Sequence, residues 1–151
     1  IDNLLSHQRK LQSQLTVLES DIAMEEFGLY KPRYGFASSL EYKDKLNVIR
    51  EMQKAMIKSK SAVNYSENWT VDGSKAKGKK MTNDNIKMIL RSFNNECEAA
   101  INKVKFSNIQ SIEKRIHSSF NQHNKLNDSN KVSLTQRFLD LKLHIQNHYL
   151  Q

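Results

Sequence analysis

Between Lys58 and Lys80 the chain gathers six lysines, Lys58, Lys60, Lys75, Lys77, Lys79 and Lys80, against only Glu67 and Asp72. Half of the net charge of +8 therefore falls in one short stretch. Closely spaced lysines beside glycine can reach successive phosphates as point charges, and the rings of Tyr65 and Trp69 offer faces on which bases stack. The residues expected to touch nucleic acid are Lys58, Lys60, Trp69, Lys75, Lys77, Lys79 and Lys80. The competing reading is a solvated, mobile loop that Trp69 merely anchors to the core.

The other chemistry-bearing patterns are weaker. Gly73-Ser-Lys-Ala-Lys-Gly78-Lys79 nearly spells a phosphate-binding loop, but that loop needs Ser or Thr next to hold Mg²⁺, and Lys80 stands there. His144 and His148 share a helix face at i, i+4, yet no Glu follows the first and no third ligand is evident. These two, with His117 and His123, read as solvent-facing. Cys97 lies in an apolar stripe, where burial would raise its pKa and keep it inert. The acidic residues are scattered, and none sits in an apolar run as a raised-pKa acid would. The sequence therefore offers no catalytic residue, no metal site and no cofactor site.

The elements that must carry the basic segment are helical. Four Gly and one Pro in 151 residues are too few for the turns of a sandwich or barrel. Ile1, Gln8, Leu15 and Ile22, with Leu4, Leu11, Leu18 and Glu25, alternate at three and four residues, which marks residues 1–26 as a coiled-coil helix, the end of a longer one. Gln8 in that seam can fix register. Phe27–Phe36 is an aromatic connector in which Tyr30, Tyr34 and Phe36 pack as a small satellite core. Ser38 and Glu41 form a capping box for a helix to Lys58, with Leu40, Val48, Ile49, Met52, Met56 and Ile57 inward.

A loop inserted at 59–81 follows, where Ala62–Tyr65 and Trp69–Val71 pair as a hairpin about Ser66–Asn68. Thr82 then caps the strongest helix, with Ile86, Ile89, Leu90, Phe93, Cys97, Ala100, Ile101 and Val104 at helical spacing. Asn108 caps a further helix with Ile109, Ile112, Ile116 and Phe120 inward. Asn127–Lys131 is a polar turn, and Ser133 opens a last helix carrying Leu134, Phe138, Leu141, Ile145 and Tyr149. The expected fold is mainly α: a helical domain over 27–151, with a small β-hairpin and basic loop, behind the N-terminal helix.

A single cysteine forbids an internal disulfide and suits a reducing, intracellular compartment. No run approaches the roughly 20 apolar residues of a membrane span, so no membrane contact is expected of this segment itself. Ile1 falls inside the heptad pattern, so sequence upstream is expected. A pI near 9.6 points to anionic partners.

Glu26-Phe-Gly-Leu-Tyr30, the string Asn68-Trp-Thr-Val-Asp-Gly-Ser-Lys-Ala-Lys-Gly-Lys-Lys-Met81 and Phe93-Asn-Asn-Glu-Cys97 resemble a bacterial and phage family of unknown-function domains. In that family the domain follows a coiled coil and precedes a GIY-YIG endonuclease domain of the phage Orf172-like type. Some members are linked to antiphage defence, and some carry an upstream membrane anchor. The resemblance spans Glu26 to about Leu126. It implies a cytoplasmic place, at the inner membrane where an anchor is present, and a nuclease beyond Gln151. No Gly-Ile-Tyr and Tyr-Ile-Gly pair occurs here, so no nuclease residue can be assigned. The expected function is non-catalytic recognition of DNA phosphates through the lysine-rich loop, with self-association through the N-terminal helix. The alternatives are recognition of a phage or host envelope protein, and a structural spacer.

Overall fold

Straight-chain and apolar residues at helical spacing dominate the sequence, and the computed structural model, which describes residues 2–32 and 39–149, is a helical assembly with one two-stranded sheet. The order is α1 (Asp2–Glu25), α2 (Leu40–Lys58), β1 (Val63–Asn64), α3 (Lys75–Ile101), α4 (Ile109–Leu126), a 3₁₀ turn at Asp128–Asn130, β2 (Ser133–Leu134) and α5 (Gln136–Tyr149). The fold is mainly α, as expected.

The core forms where α3 packs on α4 and α5 and where α5 meets α2. Ile86, Ile89, Leu90, Phe93, Cys97, Ala100 and Ile101 of α3 are all buried, which places the whole expected stripe inward, with Val104 partly buried just past the helix end. Phe93 and Phe138 are fully buried, with ring centroids 6.2 Å apart. Ile112 and Ile116 of α4 close the other side, with Phe120 packed against them.

Several local expectations are corrected. The strand at Val63–Asn64 does not pair with Trp69–Val71 about Ser66–Asn68; its partner is Ser133–Leu134, antiparallel, with Val63 opposite Leu134. Buried Val63 and Leu134 need each other's backbone, and Thr135 adds bonds to Ser61 and Ala62 carbonyls. Ser133 is thus a strand residue, and α5 starts at Gln136. Asn108 stands at the N-cap of α4 but makes no cap bond. Its side chain instead accepts from Lys105 N and donates to Lys103 O, which ties the preceding loop.

Helix α2 is capped by Ser39, whose hydroxyl accepts from Tyr42 N. Ser38, Tyr34 and Phe36 lie outside the described residues, and Tyr30 is largely exposed. The face expected to be apolar is rotated: Leu40, Val48 and Met52 are exposed, while Leu46, Ile49, Arg50, Gln53, Lys54, Met56 and Ile57 are buried. The polar members of that face have a reason to be inside. Asp21, near the end of α1, receives Arg50 at 3.1 Å, Lys31 at 3.1 Å and Lys54 at 3.6 Å. Arg50 also donates to Tyr30 O. This cluster, with buried Met24, attaches the last turn of α1 to α2, whereas residues 3–19 of α1 are exposed on every side.

Desolvation alone would push the Asp21 carboxyl up, but the bonds and charges of Lys31 and Arg50 hold it below the usual 3.8. A depressed carboxylate contributes stability above its unfolded pKa and loses that contribution as pH falls through the folded value. Asp21→Asn leaves Lys54 buried without a counter-charge and Arg50 with only the exposed Glu51 carboxylate, 3.5 Å away, so a loss of about 3 kcal/mol is expected at neutral pH. Chemical denaturation of both proteins at pH 7 and near pH 3 checks this: the gap should narrow at the acid end.

Candidate functional site

The lysine-rich segment is built on a helix start, not on a loop. Val71 and Ser74 form an isolated antiparallel bridge, with Val71 N to Ser74 O at 3.0 Å and the reverse bond at 2.9 Å. The two residues between them, Asp72 and Gly73, both have positive φ, 52° and 76°. That is the requirement of a type I′ turn, and Asp-Gly is its favoured sequence. Ser74 then caps α3, its hydroxyl accepting from Lys77 N. Helix α3 therefore begins about two turns before Thr82, which is buried inside it and does not cap it.

Gly78 is the reason the helix can start there. A Cβ at this position would lie 1.9 Å from the carbonyl oxygen of Trp69 and 2.4 Å from its carbon. The glycine serves close backbone approach and not flexibility. It seats the Asn68–Thr70 segment across the first turns of α3, and Trp69 is left half-buried between two grooves.

The first groove is walled by Lys60, Lys75 and Lys79, with Tyr65 and Trp69 as its aromatic sides and Asn83 at its edge. Lys75 and Lys79 are one helical turn apart and share that face. Lys60 Nζ donates to Asn83 Oδ1 at 3.1 Å and lies 5.5 Å from the Tyr65 ring centroid. Its backbone is left-handed, φ 61°, in the turn after α2 where glycine is the usual occupant. The second groove, across Trp69, is walled by Asn68, Asn124, Asp128 and Lys131, and Lys131 is also left-handed, φ 57°.

The seven expected contact residues thus divide. Lys60, Trp69, Lys75 and Lys79 come together. Lys77 and Lys80 turn away on the helix and do not line either groove, and Lys80 pairs with Asp84 at 2.9 Å, which raises its pKa. Lys58 donates to Ser20 of α1 at 3.0 Å and serves the α1 attachment. Tyr65, expected as a stacking ring beside Trp69, does line the groove, whereas sequence reading missed Lys131; its signal was a lysine closing a polar turn.

Two histidines are also corrected. His148 is buried and stacks on Tyr42, ring centroids 4.6 Å apart, while His144 is exposed. His123 is half-buried, edge-on to Phe93 at 5.8 Å. Its Nδ1 meets the Ser119 carbonyl at 2.7 Å, so Nδ1 carries a proton, and Nε2 is hydrogen-bonded to Ser92 Oγ, also at 2.7 Å. Ser119 in turn donates to Glu96. Ser92 with His123 has the outline of a nucleophile and base, but Ser92 stands in mid-helix where neighbouring N–H groups are spent on the helix, leaving no donors for an oxyanion. The network is a tie between α3 and α4. Among the described residues no three metal-ligating side chains converge.

By class this is a mainly helical domain that carries a basic, aromatic-walled groove on its surface. The chain belongs to the SNIPE-associated domain family, whose model matches residues 39–149. This is an associated, non-catalytic domain found with GIY-YIG nucleases. The match takes in α2 through α5, including the last helix, and begins after the aromatic connector. No curated protein and no solved structure matches the chain.

Because Gly78 meets backbone and not a yielding side chain, Gly78→Ala should destabilise the domain by several kcal/mol or displace the Trp69 segment. Gly73→Ala meets nothing within 4 Å and carries only the strain of its φ, about 1 kcal/mol. Thermal unfolding with Trp69 fluorescence compares the two; equal losses would contradict the close-contact account.

Proposed function

We propose that this domain is a non-catalytic recognition module that engages the phosphate backbone of DNA along the Trp69 groove and positions a GIY-YIG nuclease of the same protein on invading phage DNA. The observation that carries the reading is the convergence of Lys60, Lys75 and Lys79 on one groove beside Tyr65 and Trp69. Lys75, Lys77, Lys79 and Lys80 stand in the first turns of α3, and no acidic residue stands in its first turn. Cations there oppose the helix dipole, so a bound anion relieves both the dipole and the mutual repulsion of the lysines. Stacking on Trp69 adds a contact that needs no particular base.

A second reading, recognition of a phage or host envelope protein, is favoured by the exposed apolar strip Leu40, Val48 and Met52 on α2, 74%, 59% and 50% accessible. A wholly structural spacer between anchor and nuclease would need neither surface. The proposed place is the cytoplasm, at the inner membrane where an upstream anchor is carried. None of the described helices is long and apolar enough to cross a membrane.

Fluorescence anisotropy of labelled duplex DNA, read at several salt concentrations, tests the groove. Lys60→Gly/Lys75→Ala/Lys79→Ala should weaken binding and lower the salt slope by roughly 2 to 3, at about 0.9 per phosphate contact. Lys77→Ala/Lys80→Ala should change it less. Absence of binding at low salt would remove the DNA reading and leave the apolar strip as the surface to pursue.

We further propose that α1 pairs with a second copy in parallel. Leu4, Leu11, Leu15, Leu18 and Ile22 of its seam are 48–74% exposed, while the opposite side of its last turn, Asp21 and Met24, is used by its own domain. Gln8 would face Gln8 of the second copy and set the register. Light scattering after size exclusion should give the dimer mass for the wild type and the monomer mass for Leu11→Asp/Leu18→Asp. A monomeric wild type would end this proposal.

A further inference from the structure

The two grooves beside Trp69 differ in kind, and the difference names the form of DNA that fits them; this inference rests on the phosphate reading above. Tyr65 and Trp69 border both grooves and so stand as an aromatic ridge between them. On one side are Lys60, Lys75 and Lys79, with Glu67 as the single carboxylate. On the other side Asp128 cancels Lys131, and the rest of the polar wall is amide and hydroxyl, with Asn64, Asn68 and Thr70 exposed. Asn124, on the same wall, is already spent on the backbone of Leu134. The surplus of positive charge therefore lies on one side of the ridge only.

The ridge is also unfinished. Trp69 is half-buried, yet among the described residues no ring and no ammonium stacks on its indole. Its Nε1–H meets no acceptor among them either, although a tryptophan settled into a fold ordinarily finds one. Tyr65 differs, since the Lys60 ammonium stands 5.5 Å from its ring centroid. The indole is thus the aromatic surface left for a ligand.

We propose that the ridge selects an unpaired DNA strand over duplex, with phosphates on Lys60, Lys75 and Lys79, a base stacked on Trp69, and base edges in the neutral groove beyond it. A surface that reads phosphates alone prefers duplex, because duplex carries about one charge per 1.7 Å of axis. In a duplex, however, the base faces are stacked on one another and the pairing edges are turned inward, so the indole has nothing to meet. An unpaired strand carries phosphates along one side and free bases along the other. Laid along the ridge, it matches the charged groove and the neutral groove together. Asn64, Asn68 and the Asp128–Lys131 wall supply donors and acceptors of both kinds to base edges. Stacking accepts any base, so the discrimination is of strand form more than of sequence.

The test titrates the full chain, at one low salt concentration, into three labelled ligands of equal length followed by anisotropy. These are a thymidine strand, a duplex, and a strand of abasic sites that keeps the phosphates and lacks the bases. The thymidine strand should bind at least tenfold tighter than either of the others, the order that one stacked base contributes. It should also quench the emission of Trp69, the single tryptophan of the chain. Because the abasic strand removes the bases from the ligand, the comparison needs no variant that might misfold. A margin below tenfold over the duplex or the abasic strand, or Trp69 emission unchanged at saturation, overturns the proposal and leaves the phosphate reading standing. Failure of all three to bind removes the phosphate reading, and this inference with it.

Discussion

At Gly78 the backbone of α3 runs so close to the Trp69 carbonyl that no side chain fits between them, and the geometry of the groove follows from that contact. It fixes where Asn68–Thr70 crosses the helix, and so where the indole stands. It leaves the chain only a few residues in which to reverse and enter α3, which the Asp72-Gly73 turn and the Ser74 cap accomplish. It also sets the rotation of the first turns of α3, so that Lys75 and Lys79 face Tyr65 and Trp69 while Lys77 and Lys80 face elsewhere. A flexible loop would present four lysines as an average; the helix sorts them in two directions.

The rest of the domain holds this arrangement by burying polar groups in pairs. Asp21 gathers three cations and joins α1 to α2, and Gln53 receives Lys142 and joins α2 to α5. Gln146, fully buried, donates to Ile109 O and joins α5 to the start of α4. Such pairs add little net stability over well-packed apolar residues, but each demands one partner, and a helix rotated by one residue would strand a charge. With only 38% apolar residues, the domain relies on these pairs for the uniqueness of its packing.

Most helices were legible because their apolar periods are long: every member of the α3 stripe from Ile86 to Ile101 is buried. What was not legible has specific causes. The pairing of Val63 with Leu134 joins segments some seventy residues apart, and two-residue strands carry no alternation to read. The inward face of α2 was misjudged because it was drawn from apolar residues alone, and Arg50, Gln53 and Lys54 have a reason to be inside only once Asp21 and Lys142 stand beside them. His148 was read as exposed for the same reason, since nothing in sequence announces Tyr42 as its stacking partner. At the site, the lysine string was read as a loop because lysines and glycines look like one. The Asp-Gly pair and the serine after it were the local signals of a turn and a cap, and they outweigh composition.

The sites where local rules are broken are also the sites where the groove is built. Lys60 and Lys131 hold left-handed backbone that glycine would hold with less strain, and Lys75–Lys80 place positive charge at the positive end of a helix. Each choice lowers stability, and neither is forced by the fold: the turn after α2 needs a positive φ but no ammonium, and the start of α3 needs a cap but no cation. Local conflicts of this kind concentrate where a chain is selected for what it binds. Lys60 and Lys131 lie on opposite sides of Trp69, so the strain is distributed along one surface and not scattered over the domain. An extended anion lying across the indole would meet Lys75 and Lys79 with Lys60 on one side and Lys131 on the other, and would offset the repulsion that the folded chain otherwise bears alone.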